Sequence, residues 1–309
     1  MPQNITAKNN RTITLNKEEI NIFRNELLNV NKKINVSQLI NRVINQDLNQ
    51  VFEYLPESFV DLLFIDPPYN LSKNFNGNKF QKMSDEGYFK WVESWIIPLK
   101  KILKPTASIY ICGDWRTSST LQRICDTHFN LLNRITFERE KGRGSLKSWK
   151  NNSEDIWFCS QSKKYYFNPN AVKLKKRVIA PYTENGKPKD WNIETDGKFR
   201  LTYPSNIWGD ITMPFWSMPE NTPHITQKPE KLLARIILAS SKEGEIVFDP
   251  FSGVGTTGVV AKKLNRKFVM VELDEEYCLY ALKRLNIAEN NKNIQGYEDG
   301  IFLDRNSKI

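Results

Sequence analysis

The chain has 309 residues, 39% hydrophobic and 26% charged, which supports a large folded core and excludes a disordered chain. Its 45 Lys and Arg against 35 Asp and Glu leave a formal charge of +10. That excess suits a phosphate backbone, and an enzyme of small neutral substrates has no need of it.

Residues 1–33 are rich in Asn, Lys and Glu and read as an N-terminal extension. Within them, residues 17–30 carry the apolar set of an amphipathic helix: Ile20, Ile22, Phe23, Leu27 and Leu28. The first 17 residues lack an apolar signal core, and no apolar run approaches the roughly 18 residues of a membrane span. From residue 34 onward, strands and helices alternate. Residues 61–65 form a short apolar strand ending at Asp66. Residues 88–103 have helical periodicity through Trp91, Trp95, Ile96, Leu99 and Leu103, with Pro105 as the stop. A buried strand (107–112), a helix (118–128) and another strand (131–137) follow.

The texture changes over 138–222, which has few long apolar runs and many Gly, Pro, Asn, Lys and aromatic residues. One strand stands out there, 156–159, and the region reads as an inserted subdomain. Alternation returns after Pro229: helix 230–240, strand 245–248, glycine turn and helix 253–264, strand 268–271, helix 275–288. Residues 291–309 are polar and read as a peripheral tail. The pattern predicts an α/β fold with a doubly wound, mostly parallel sheet, split into a half at 34–137 and a half at 223–290. Such sheets bind ligands beyond the carboxyl ends of their strands. Cys112, Cys125, Cys159 and Cys278 make no C-x-x-C pair. They are expected to be reduced core residues of a cytoplasmic protein, with no metal site.

Two motifs begin at predicted strand ends. The first runs Phe248-Asp249-Pro250-Phe251-Ser252-Gly253-Val254-Gly255-Thr256-Thr257-Gly258. It is a G-x-G-x-x-G turn between a strand and a helix, where glycines allow close backbone approach to a ligand. Glu272 ends the next strand, and its two acceptor oxygens suit a pair of ribose hydroxyls. A dinucleotide site and a purely structural turn remain alternatives for this segment. A phosphate-cradling loop does not, because no Gly-Lys-Ser/Thr follows. Asp249 and Phe251, an acid and an aromatic, suit the amino-acid part of a sulfonium cofactor.

The second motif, Asp66-Pro67-Pro68-Tyr69, is the more specific. Two prolines fix their own φ, restrict the residue before each and remove two N–H donors. The result is a rigid bracket of carboxylate, carbonyls and aromatic ring. Asp66 and the Pro67 carbonyl can take the two N–H bonds of a planar amine and aim its lone pair at an electrophilic methyl, while Tyr69 stacks on the ring. A Pro-Pro turn with Tyr69 in the core is the bland alternative.

Together these motifs resemble the amino-methyltransferases of bacterial restriction–modification systems, which act on adenine N6 or cytosine N4. In that family Asp-Pro-Pro-Tyr holds the target amine and Phe-x-Gly-x-Gly binds S-adenosylmethionine. The catalytic motif here comes first and a recognition segment lies between, which looks like the β group, and the resemblance spans roughly residues 36–290. It implies the S-adenosylmethionine-dependent methyltransferase fold in permuted motif order. His224-Ile225-Thr226-Gln227-Lys228-Pro229 is similar to the family's His-Pro-Thr-Gln-Lys-Pro at the methionine end of the cofactor, with Ile225 replacing a proline. Asp47 falls where the family often has an acid at the cofactor's adenine. The implied cofactor set is thus Asp47, Thr226, Lys228, Asp249, Phe251, Ser252, Gly253, Gly255, Thr256, Thr257 and Glu272. Asp274 is expected to cap the next helix. The implied catalytic set is Asp66, Pro67, Pro68 and Tyr69, acting on a base flipped from duplex DNA. Asp at the first position is associated with adenine N6, and Ser with cytosine N4. The resemblance also brings the expectation of a cognate restriction endonuclease and of a homodimer. An RNA or protein amide methyltransferase, a non-catalytic DNA-binding protein and a nicotinamide-dependent dehydrogenase are the rival readings.

Residues 134–200 hold 16 Lys and Arg against 8 Asp and Glu, most of the net charge. Arg143, Lys147, Trp149, Lys150 and Asn151 read as a DNA-facing loop, since Arg and Asn can read base edges bidentately. Lys175, Lys176 and Arg177 suit phosphates. A solvated face is the alternative for each alone. The apolar, proline-braced segment 213–219 reads either as a closure of the active site or as a buried connector or dimer contact.

Overall fold

The computed structural model describes residues 9–75, 78–139, 146–195 and 197–304. Its central sheet takes strands from nearly the whole chain: β1 (Arg42–Asn45), β2 (Val60–Ile65), β3 (Leu103–Gly113), β4 (Asn130–Glu138) and β5 (Ser153–Ser160). A smaller sheet uses β6 (Leu174–Arg177), β7 (Asn192–Glu194) and β8 (Gly197–Thr202). The chain then returns through β9 (Ile207–Trp208), β10 (Ile246–Asp249) and β11 (Lys267–Glu272), and ends in β12 (Tyr297–Glu298) and β13 (Ile301–Leu303). The central order is β1-β11-β10-β2-β3-β5-β4-β9. Neighbours pair in parallel except at β5, which is antiparallel to both β3 and β4. The sheet is therefore mostly parallel, as the alternation predicts.

Side-chain alternation divides the core into two layers. Leu62, Phe64, Tyr110, Cys112 and Val247 face one side, and Leu63, Ile65, Ile109, Ile111 and Phe248 the other. The first layer is covered by α6 (Glu230–Ser240), α7 (Thr256–Lys263) and α8 (Glu275–Asn290); the second by α4 (Asp85–Ile102) and α5 (Ser118–His128). Every residue of β2 is buried, the pattern of a central strand. Helix α4 tolerates Pro98 and ends where Leu103 turns extended, so Pro105 lies in β3 and is not the stop. Asp274 caps α8 by accepting from the Tyr277 N–H at 3.0 Å.

Residues 138–222 do not form a separate insert. β5 lies between β3 and β4, with Ile156 and Phe158 in one core layer and Trp157 and Cys159 in the other. β9 extends the same sheet beside β4. What projects is the small sheet, in the order β7-β8-β6-β13-β12. Its last two strands come from the segment expected to be a tail. Phe302 there is fully buried, because β13 pairs in parallel with β6 and its apolar side chain completes the layer under α6. Lys231 of α6 donates to the Leu303 carbonyl at 2.6 Å.

The N-terminal extension is strapped down at both ends. Helix α1 (Lys17–Glu26) has an Asn16–Glu19 capping box, and Glu19 and Arg24 pair with Lys283 and Glu275 of α8. Ahead of it, the Arg11 and Ile13 N–H groups donate to the carbonyls of Trp216 and Asn221. The short helices α2 (Val36–Leu39) and α3 (Leu48–Val51) flank β1. All four cysteines are free and buried. Among the described residues no helix is long and apolar enough to cross a membrane.

Phe302→Ala tests the integration of the C-terminal strand. It should destabilise the protein by about 3–5 kcal/mol in urea unfolding. An unchanged midpoint would mean that residues 297–304 are peripheral.

Candidate active site

The site forms where β10 and β2 lie side by side. Val247 is level with Leu62 and Phe248 with Leu63, so both strands end together. From β10 the chain turns toward β11, and from β2 toward β3, which opens a crevice between the two loops. The loops and residues 224–228 line a cleft of about 420 Å³ that contains Asp66, Pro67, Pro68, Tyr69, Thr226, Lys228, Asp249, Phe251, Ser252, Gly253, Thr256, Thr257 and Glu272. The fold thus gathers most of the expected cofactor and catalytic residues into one cavity.

At the catalytic end, one Asp66 oxygen accepts from the Tyr69 hydroxyl at 3.0 Å. The other accepts from the Lys228 ammonium at 2.5 Å. Pro67 is buried, and the Pro68 carbonyl accepts from the Tyr88 hydroxyl at 3.0 Å. Asn70 anchors the loop by exchanging two hydrogen bonds with the Met83 backbone. Among the described residues no donor reaches the Pro67 carbonyl, which leaves it open beside Asp66. Burial, then Asp66, raises the Tyr69 hydroxyl well above its ordinary value, so it stays a donor.

Lys228 lines the cleft with its ammonium on the Asp66 carboxylate and also 3.4 Å from Glu154 Oε2. Burial opposes its charge, but Asp66 and Glu154 outweigh that and hold it above an ordinary lysine. Glu154 is 2% exposed and its other oxygen pairs with Arg139. Both Glu154 and Arg139 line the cleft, as does Lys73. Sequence reasoning missed all three. A signal existed for Glu154: counting back by two from Ile156 in a strand puts it on a buried apolar face, where a lone carboxylate needs a partner.

The opposite end is built by α7 and β11. Buried Asp249 accepts from the Phe251 N–H at 3.0 Å and the Thr257 hydroxyl at 2.5 Å. Glu272 accepts from Gly253 N–H at 2.8 Å and Asp274 N–H at 2.9 Å. Gly253 has φ +50°, and a Cβ there would lie 3.4 Å from the His224 ring. Gly255, φ +74°, serves packing instead: its Cβ would meet the Ala281 Cβ of α8 at 2.6 Å, and it does not line the cleft. Asp47 caps α3 through Asn49 N–H at 2.8 Å. It lines an adjoining groove that shares Phe251, Glu272 and Leu273 with the cleft. Gln227 braces the 222–228 loop, accepting from Thr222 and donating to the Glu220 carbonyl, a rigidity that Ile225 does not supply.

These residues fit the cofactor that the resemblance implies. Ser252 Oγ and His224 Nδ1 are buried without a hydrogen-bond partner among the described residues, so the cleft offers polar groups awaiting a ligand. Burial lowers His224 to about 4, which keeps the ring neutral. A buried acid at one end suits an ammonium, and Glu272 at the other suits hydroxyls.

The expected DNA contacts are dispersed. Lys147, Trp149, Lys150 and Asn151 are exposed ahead of β5, with Trp149 96% exposed; Arg143 lies outside the described residues. Lys175, Lys176 and Arg177 are on β6, where Lys175 pairs with Glu194 and Arg177 is exposed. Trp115, in the loop after β3, is 60% exposed with the Arg116 guanidinium over its ring, and sequence reasoning missed it. The segment 213–219 does not line the cleft. It buries Met213 and Met218 and meets the N-terminal strap at Trp216.

A family described as DNA methylase matches residues 60–283. The chain is 33% identical over 255 residues to DNA adenine methyltransferase YhdJ of Escherichia coli strain K12, covering 80% of this chain and 83% of that protein. It is 30% identical over 252 residues to the type II methyltransferase M.HpaI of Haemophilus parainfluenzae, covering 81% and 75%. Among solved structures, PvuII DNA methyltransferase, named as cytosine-N4-specific, shares the fold. Its TM-score is 0.60 at 19% identity, over 86% of this chain and 95% of that one.

Burial is the main cause that raises Asp249 to about 7. Only the ionised carboxylate pairs with a ligand ammonium, so binding favours the deprotonated form. Affinity for S-adenosylhomocysteine should therefore fall by about tenfold from pH 8 to pH 6. Calorimetry should also show proton release on binding near pH 6.5, and Asp249→Asn should flatten the profile. A flat profile in the unaltered protein would remove Asp249 from the ammonium site.

Proposed function

This chain is a member of the DNA methylase family, and we propose that it transfers a methyl group from S-adenosylmethionine to the exocyclic N6 of an adenine flipped out of duplex DNA. The observation that carries this is the shared cleft: Asp66 and the Pro67 carbonyl face the same cavity as Asp249, Ser252 and Glu272.

S-adenosylmethionine supplies a methyl on positively charged sulfur, whose departure as a neutral thioether requires no Lewis acid. The chain's own residues do the positioning. Asp249 and Glu272 hold the ammonium and the ribose hydroxyls, with Ser252, Thr226 and the Gly253 backbone beside them. Asp66 and the Pro67 carbonyl each accept one N–H of the target amine, and as the C–N bond forms and the C–S bond breaks the nitrogen gives up one of those protons to solvent. That orientation matters because the amine lone pair is delocalised into the ring, and two fixed acceptors turn it out of conjugation toward the methyl. Tyr69 donates to Asp66 and offers its ring face to the base. The cofactor stays at the β10 loop and the base enters at the β2 loop, so neither must move far to meet.

Adenine is favoured over cytosine by Asp at position 66 and by the relative named as an adenine methyltransferase. The cytosine-N4 neighbour supports the fold alone. The name of M.HpaI favours a restriction–modification role, with a cognate endonuclease as partner. The exposed residues Lys147, Trp149, Lys150, Asn151 and Arg177, with Arg143, are the proposed DNA contacts, and the small sheet the proposed recognition element. A cytoplasmic location and a homodimer complete the reading.

The protein should be incubated with unmethylated plasmid and S-adenosylmethionine, and the digested nucleosides identified by mass spectrometry. The expected product is N6-methyldeoxyadenosine; N4-methyldeoxycytidine would overturn the assignment of the target. Asp66→Ala should lower turnover by about 100-fold or more while leaving S-adenosylhomocysteine affinity within about twofold. Lost cofactor binding with turnover retained at saturating cofactor would place Asp66 in the wrong half of the site.

A further inference from the structure

Lys228 occupies the acceptor that the target amine needs. Its ammonium is 2.5 Å from Asp66 Oδ2, and the Tyr69 hydroxyl takes Oδ1. A carboxylate oxygen can accept more than one donor, but both Asp66 oxygens already hold one, and the lysine on Oδ2 is itself 6% exposed. An incoming amine therefore meets a cation already on its receptor.

The structure also holds a second acceptor for that cation. Glu154 Oε2 is buried, lies 3.4 Å from Lys228 Nζ and makes no hydrogen bond among the described residues, whereas Oε1 is held by Arg139. A buried carboxylate oxygen without a donor is costly. Its cost falls if the ammonium moves about 1 Å toward it, a shift within reach of a lysine's terminal torsions. Asp66 directly follows β2 and Glu154 lies on β5, so the lysine bridges two separately held points.

We propose that Lys228 is a positioning residue that neutralises Asp66 until the target amine docks and then passes to Glu154. This rests on the methyltransferase reading above. The exchange balances charge: one cation leaves one carboxylate for another as a neutral amine takes its place. Arg139 holds Glu154 in register throughout.

The test is a double-mutant cycle on methylation of unmethylated plasmid, with S-adenosylhomocysteine binding as the check on the fold. Glu154→Gln leaves Lys228 no charged destination. It should lower kcat on the order of 100-fold, with KM for DNA and cofactor affinity within about twofold. Adding Lys228→Met removes the blocking ammonium and should recover at least about tenfold of that loss. A merely structural role predicts the opposite, with the double variant no better than the single. The exchange is overturned if Glu154→Gln keeps kcat within about threefold, or if the double variant shows no recovery. Should Glu154→Gln fail to bind the cofactor, the double variant, which removes both charges, carries the test against wild type. Activity within about tenfold supports the exchange, and loss below detection overturns it. A wild-type chain that methylates no base removes the reading and the exchange together. A methylating wild type whose variants break this pattern removes the exchange alone.

Discussion

Everything in the site depends on the parallel pairing of β2 with β10. The two strands are distant in sequence, yet Leu62 and Leu63 are level with Val247 and Phe248. Both strands are buried on both faces, which fixes their register because a one-residue slip would turn each side chain to the wrong layer. With that register set, the loops leave at the same height and in opposite directions. Asp66 and Asp249 then face one cavity, so the proposed amine and cofactor receptors are parts of one site.

The second constraint is electrostatic. The cleft brings Asp66, Glu154, Asp249 and Glu272 together in a largely buried space. Each is compensated differently. Asp66 and Glu154 have cations, Lys228 and Arg139. Among the described residues Asp249 and Glu272 have only hydrogen-bond donors, and burial raises both above their ordinary values. In the proposed function the half with cations receives a neutral amine, and the half without them a positively charged ligand. The distribution of counter-charge matches those two reactants, because a buried acid without a cation gains most from a charged ligand.

The periphery shows how the site is held. The loop of residues 222–228 carries Lys228 into the cleft, and Gln227 ties it back to Thr222 and the Glu220 carbonyl. Glu220 is fully enclosed beside Glu230, and burial raises it to about 8. Glu230 in turn pairs with Lys263 and Arg284. Helices α6, α7 and α8 are thereby locked around the end of the loop.

The sequence alone determined the two motifs, their order and the strand–helix alternation. Each is a local property: prolines constrain their neighbours, glycines permit positive φ, and apolar period reports which face is buried. The α5 and α6 boundaries were legible for that reason, and so was the cap at Asp274. Only the tertiary structure decided that β5 belongs to the central sheet and that β13 joins β6. Strand pairing is set by partners far along the chain, and a short strand carries no mark of which partner it will find. The same holds for Lys228. Its motif places it in the site, and its ammonium lies on Asp66 because β2 and β5 bring two carboxylates within its reach. Charge pairing in a buried site is a property of the assembled sheet, and no window of sequence contains it.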